Sequence, residues 1–139
     1  MKDLDYKFNE QAHRVALQIF RDAINALENT RLVATVDTWH DVTDFEYGWV
    51  NYGFNYAPAG YTVDSDGYVH LQGAVKSGSV GDTIFTLPEA CRPRYNHSFA
   101  VDSNNLLGVC DVLKEGFVVA SAGNNTHFAL DGVIYEARG

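Results

Sequence analysis

"AGYTVDSDGYVHLQGAVKSG", residues 59–78, reads as strand, turn, strand. Asp64-Ser65-Asp66-Gly67 has the composition of a tight hairpin turn, with Gly67 at its left-handed position. In the second arm Val69, Leu71, Gly73 and Val75 point one way, and Tyr68, His70, Gln72 and Ala74 the other. A period of two is that of a half-buried strand. The same pattern extends in both directions. Upstream, "GWVNYGFN" (48–55) alternates and is expected to be a strand; downstream, "TIFTLP" (83–88) stops at Pro88, which cannot donate to a ladder. "HSFAVDS" (97–103) follows, then "LLGVCDVL" (106–113) pairing with "FVVASA" (117–122) across Gly116. "THFALDGVIYEA" (126–137) closes the chain with a break at Asp131-Gly132. Short strands at this spacing predict an antiparallel β-sandwich, jelly-roll-like, with Leu71, Val75, Phe85 and Leu87 in its core.

Ahead of the strands the period is different. No glycine or proline precedes Gly48, and residues 4–31 are rich in Ala, Leu, Gln, Arg and Glu, which favours a helix. Phe8, Ala12, Val15, Ile19, Ala23 and Ala26 recur every three or four residues on one face, widened by Leu17, Phe20, Ile24 and Leu27. A lone helix cannot cover such a stripe and is marginal in water. It could pack on its own head, fray, or meet copies of itself, and self-association is the expectation. A heptad counted from Phe8 places Asp22 and Asn29 on the seam, so a short coiled-coil-like bundle is expected in place of a long zipper. The chain thus divides into a helical stalk (1–34), a connector (35–47) and a mainly β head (48–139).

The net charge of −8 disfavours nucleic acid, whose binders need a basic footprint, and equally an acidic lipid surface. No run of about 18 apolar residues exists to insert into a membrane. The N-terminus has no apolar segment of the kind a secretory signal carries. Two cysteines, Cys91 and Cys110, are too few for a disulfide framework; one bridge between them is left open.

Catalytic signatures are weak. A glycosidase needs two carboxylates at a set separation, and Asp64 and Asp66 sit in a turn that selects Asp for backbone bonding. "SGSVG" (77–81) misplaces the glycines of a nucleophile elbow. "DSDG" opens like a calcium loop but lacks the later ligands. The five histidines show no paired ligand spacing, although His70 or His97 could meet its copies on a trimer axis. No enzymatic activity, metal or cofactor is expected. Saccharide contact calls for aromatic faces beside amides and other polar groups. The aromatic-rich segment Trp49, Tyr52, Phe54, Tyr56 and Tyr61 fits that description best, and from it Tyr52, Tyr56 and Tyr61 are singled out, with the loop residues Asn124, Asn125 and His127. Trp39 and Trp49 are expected to be packing anchors.

Several of these segments also look like something specific. Trp49-Val50-Asn51, Gly67-Tyr68-Val69-His70-Leu71, Phe85-Thr86-Leu87-Pro88 with Arg92-Pro93, and Leu130-Asp131-Gly132-Val133 together resemble the C-terminal head module of tail fibre and minor tail proteins. Such heads belong to phages of Gram-positive, especially actinobacterial, hosts. The resemblance spans about Trp49 to Ala137, with Glu89-Ala90-Cys91 standing where those heads carry Gly and an aromatic residue. It implies a homotrimeric receptor-binding protein at the distal tail of the virion, joined to the rest of the phage tail. Its partner for host adsorption would be a host cell-surface saccharide.

Overall fold

A computed structural model describes residues 14–23 and 38–138, which fall in two compact units, 1–36 and 37–139. In the first unit residues 14–23 are α-helical, with Gln18 Nε2 donating to Asp22 Oδ1 one turn on at 2.9 Å. Val15, Leu17, Ile19 and Phe20 on this helix are all exposed. Of the expected stripe, Val15, Ile19 and Ala23 are described; Phe8, Ala12 and Ala26 lie outside the described residues.

The second unit is mainly β. Its strands are β1 (His40–Asp41), β2 (Val50–Asn51), β3 (Gly60–Val63), β4 (Tyr68–Gln72), β5 (Ala74–Lys76), β6 (Thr83–Thr86), β7 (His97–Ser103), β8 (Leu106–Val112), β9 (Phe117–Ala122), β10 (Phe128–Ala129) and β11 (Ile134–Glu136). All pairings are antiparallel and give three sheets, ordered β1-β3-β4-β11, β10-β5-β2 and β6-β9-β8-β7. The first two sheets form one continuous layer. Residues 68–76 are a single strand interrupted at Gly73, and residues 128–136 run antiparallel to it with their own interruption at Asp131-Gly132. The third sheet is the opposing layer of a sandwich-like arrangement.

Val69, Leu71, Val133 and Tyr135 from the first layer meet Phe85, Val101, Cys110, Val112 and Val118 from the second in one buried cluster. Full burial of a side chain such as Phe85 or Leu87 contributes ~1.5–3 kcal/mol. Three ring contacts cross the layers: Tyr61 with Phe85 and Phe99 with Tyr135, each with centroids 6.4 Å apart, and His97 with Tyr135 at 6.2 Å.

Leu87-Pro88 and Arg92-Pro93 bracket a 3₁₀ turn at Glu89–Cys91. Arg92 Nε donates to the Leu87 carbonyl at 3.0 Å, and the Tyr135 hydroxyl donates to the Cys91 carbonyl at 2.6 Å. This corner is fastened from inside by a buried phenol whose pKa burial pushes well up. Cys91 and Cys110 are both buried free thiols. Burial, with the Asp111 carboxylate adding to it, pushes the Cys110 thiol up to about 12. Only the thiolate attacks. Cys110 should therefore resist a thiol-reactive chromophore at pH 8 until denaturant unfolds the sheet. Rapid labelling in buffer alone would contradict its enclosure.

Two boundaries differ from the sequence reading. The described part of the 35–47 connector belongs to the β unit: β1 pairs with β3, Val42 is buried, and Glu46 N–H donates to the Ile84 carbonyl. This segment covers strand edges, a task its Asp- and Thr-rich composition does not advertise. The predicted strand at 48–55 shrinks to Val50–Asn51, because Phe54 and Asn55 adopt left-handed backbone angles of 50° and 69° that no strand can hold.

Candidate functional site: an aromatic nest

The segment that fails to be a strand builds the most distinctive surface of the head. Asn51 Oδ1 accepts the Ala59 N–H at 2.8 Å and closes residues 52–58 into a loop. Tyr52 N–H donates to the Ala74 carbonyl at 2.9 Å, and Tyr56 N–H to the Gly53 carbonyl at 3.0 Å. The turn between them forces Phe54 outward, 75% exposed. A bulky aromatic residue at positive φ is strained, and the surrounding bonds hold it there.

Tyr52 is the hub. Its ring centroid lies 5.4 Å from Phe54, 5.2 Å from Tyr56 and 4.7 Å from His127, and Tyr56 lies 5.1 Å from the same imidazole. Lys76 places its ammonium 5.7 Å from the Tyr52 ring centre and 5.2 Å from that of Phe54. Pairing of β2 with β5 puts Lys76 opposite Val50 and so beside the root of the loop.

His127 comes from the other side. It is 6% exposed, its Nδ1 is 3.8 Å from Asp102 Oδ2, and its Nε2 has no hydrogen-bond partner among the described residues. Its position follows from buried Ser103, whose hydroxyl proton is shared between the carbonyls of His127 at 3.0 Å and Asn124 at 3.1 Å. The same oxygen accepts the Asn124 N–H at 2.7 Å. A polar pin inside the sandwich thus sets the loop that carries the imidazole.

Of the residues singled out for saccharide contact, the fold brings Tyr52, Tyr56 and His127 together. Asn124 and Asn125 lie on the adjoining loop with their side chains already engaged: Asn124 Oδ1 accepts the Thr126 N–H at 2.6 Å, and Asn125 Nδ2 donates to the Gly78 carbonyl at 3.0 Å. Tyr61 joins a different group, stacked on His40 at 5.4 Å and lining a depression of about 100 Å³ with Asp41 and Asp44. Phe54 belongs to the aromatic-rich segment named above, though not to the residues singled out from it. Lys76 is the member that sequence reasoning missed, because the strand register that delivers it leaves no local trace. Trp49 is 1% exposed and serves as an anchor, whereas Trp39 is 38% exposed.

The turn carboxylates have structural employment. Asp64 Oδ1 accepts the N–H groups of Asp66 and Tyr68, and Oδ2 bonds His70 Nε2 at 2.8 Å. The His70 bond, ahead of the Tyr68 N–H, holds the Asp64 carboxyl below its usual range. Among the described residues no three His, Cys, Asp or Glu side chains gather as a metal site. A second depression of about 170 Å³ is lined by Arg94, Tyr95, His97, Glu136 and Ala137, and is shallow.

The nest can offer ring faces to the C–H surface of a sugar, phenol hydroxyls to its oxygens, and one ammonium to polar or anionic substituents. Compared with models of known protein families and with curated proteins, the chain matches none.

Proposed function

We propose that this chain is the receptor-binding head of a phage tail fibre, attaching to a host-surface glycan as a homotrimer. The observation that carries the reading is the nest: exposed Phe54 and Tyr56 on a strained loop, with Tyr52, Lys76 and His127 behind them. Exposed rings held in place at a cost in backbone strain are a feature of contact surfaces. The likeness of the strand and corner motifs to tail fibre heads points the same way. On this reading the exposed Val15, Leu17, Ile19 and Phe20 face copies of themselves in a short helical bundle, and the sandwich is a jelly-roll variant. Three weak sites on one body can exceed a single site by about 10²–10⁴ in avidity. The head grips its glycan and does not cleave it.

The test is adsorption of the purified full chain to walls and glycans of candidate hosts. Phe54→Ala with Tyr56→Ala should lower binding at least tenfold, about 1.4 kcal/mol, while leaving the unfolding midpoint within about 2 °C of the parent. Undiminished adsorption by the folded variant would move the site elsewhere. A parent chain retained by no host fraction would leave a structural cap on the fibre as the better reading.

A further inference from the structure

Lys76 is the sole Lys or Arg between residues 37 and 91, a stretch that carries eight Asp and Glu. A lysine kept for structure in such surroundings would sit on a carboxylate. Lys76 pairs with none of the described ones. Half-buried at the end of β5, it is held over two rings instead, 5.7 Å from the centre of Tyr52 and 5.2 Å from that of Phe54. The rings fix the ammonium, but among the described residues no acceptor takes its three N–H donors. Such a group bonds best to an ionised oxygen, because a charge-assisted hydrogen bond is roughly twice as strong as a neutral one.

The surroundings point the same way. Phe54 and Tyr56 are the exposed rings on which a sugar can stack, so its substituents come within reach of Lys76. His127 Nε2, buried beneath Tyr52 and Tyr56, is a second polar atom with no partner among the described residues. Asp102 is the carboxylate against this imidazole, and it is already engaged: Oδ1 accepts the Asn105 N–H at 3.0 Å, and Oδ2 faces His127 Nδ1 at 3.8 Å. The net charge of −8 acts at long range, where salt screens it beyond about 8 Å, and at contact the nearest charge decides. One ammonium is too little for the dense charge of nucleic acid and enough for one acid group on a sugar.

We infer that the nest selects saccharides carrying an acid group, a carboxylate or a phosphate, and that Lys76 is the residue that reads it. The inference rests on the glycan-binding reading and adds the charge of the ligand.

The full chain is tested on host wall in three forms: untreated, with carboxylates amidated by carbodiimide, and with phosphodiesters removed by cold hydrofluoric acid. At least one treatment should lower retention about tenfold or more, and which one does so identifies the acid group. Lys76→Gln should lose the same factor on untreated wall and nothing further on treated wall, because ammonium and acid group then form one interaction. Lys76→Met, which keeps the stem packed, serves if Lys76→Gln does not fold. Three results would overturn the inference: retention indifferent to both treatments, undiminished retention of the Lys76 variant, or a variant equally weakened on treated wall. In each case loss of retention in Phe54→Ala with Tyr56→Ala would still uphold the nest as the glycan site. A parent chain retained by no untreated wall would overturn both.

Discussion

Gly78→Ala is expected to strip the β unit of a large part of its stability at room temperature. A Cβ at this position would lie 2.0 Å from Trp49 Cδ2 and 2.1 Å from Cγ, far inside the ~3.5 Å of an ordinary carbon contact. Neither side can give way easily. The backbone is held by the Ser77 N–H bond to the Asn125 carbonyl at 2.7 Å, and by the Asn125 amide bond to the Gly78 carbonyl at 3.0 Å. The indole is 1% exposed and has the Phe128 ring 6.0 Å away. Overpacking usually costs ~1–3 kcal/mol because neighbours shift. With both neighbours fixed the cost should exceed ~4 kcal/mol, a large part of the ~5–15 kcal/mol that keeps a domain folded. Urea titration followed by tryptophan fluorescence measures it. A loss below ~1 kcal/mol would show that the ring has room to move. Trp49→Leu in the same chain should recover part of the loss, because the added methyl then meets a smaller neighbour.

Gly73→Ala should come second, at about 3–5 kcal/mol, and for a different reason. Gly73 sits at φ +101°, where a side chain is strained, and its Cβ would lie 2.5 Å from the Pro58 carbonyl oxygen and 2.7 Å from the Ala59 nitrogen. These are backbone atoms, so no rotamer relieves the clash. The glycine is further fixed by its N–H donated to Asp131 Oδ1 at 2.9 Å and by its carbonyl accepting the Leu130 N–H at 2.8 Å. Pro58 ends the loop that carries Tyr52, Phe54 and Tyr56. If the nest binds glycan as proposed, whatever fraction of Gly73→Ala remains folded should therefore bind it less well than its stability alone predicts. Binding per folded molecule equal to the parent's would show that the loop is not coupled to this break.

These two glycines also mark where sequence reading stopped. The hairpins were legible because each is a local pattern: 60–63 with 68–72 across a turn rich in Asp and Gly, and 106–112 with 117–122 across Gly116. Alternation gave the faces of Val69, Leu71 and Val75 correctly, and turn chemistry explained Asp64. What could not be read was anything set by distant neighbours. Trp49 lies over Gly78, Asp131 reaches Gly73, and Lys76 stands beside Tyr52 through contacts that no short window contains. The aromatic run 48–56 misled for the same reason: its alternation is that of a strand, but only Val50 and Asn51 find a partner in β5. Tyr52, Tyr56 and His127 could be named because aromatic and polar composition is local. Their gathering into one surface could not.

The nest draws its rings, its ammonium and its imidazole from stretches that meet only when both layers of the head are closed, with Ser103 inside holding one of those stretches in place. If the nest is the contact surface proposed above, adhesiveness of this kind has no half-strength. A clipped or loosened head would then keep no remnant of grip, and would fall silent without holding its target in the wrong way.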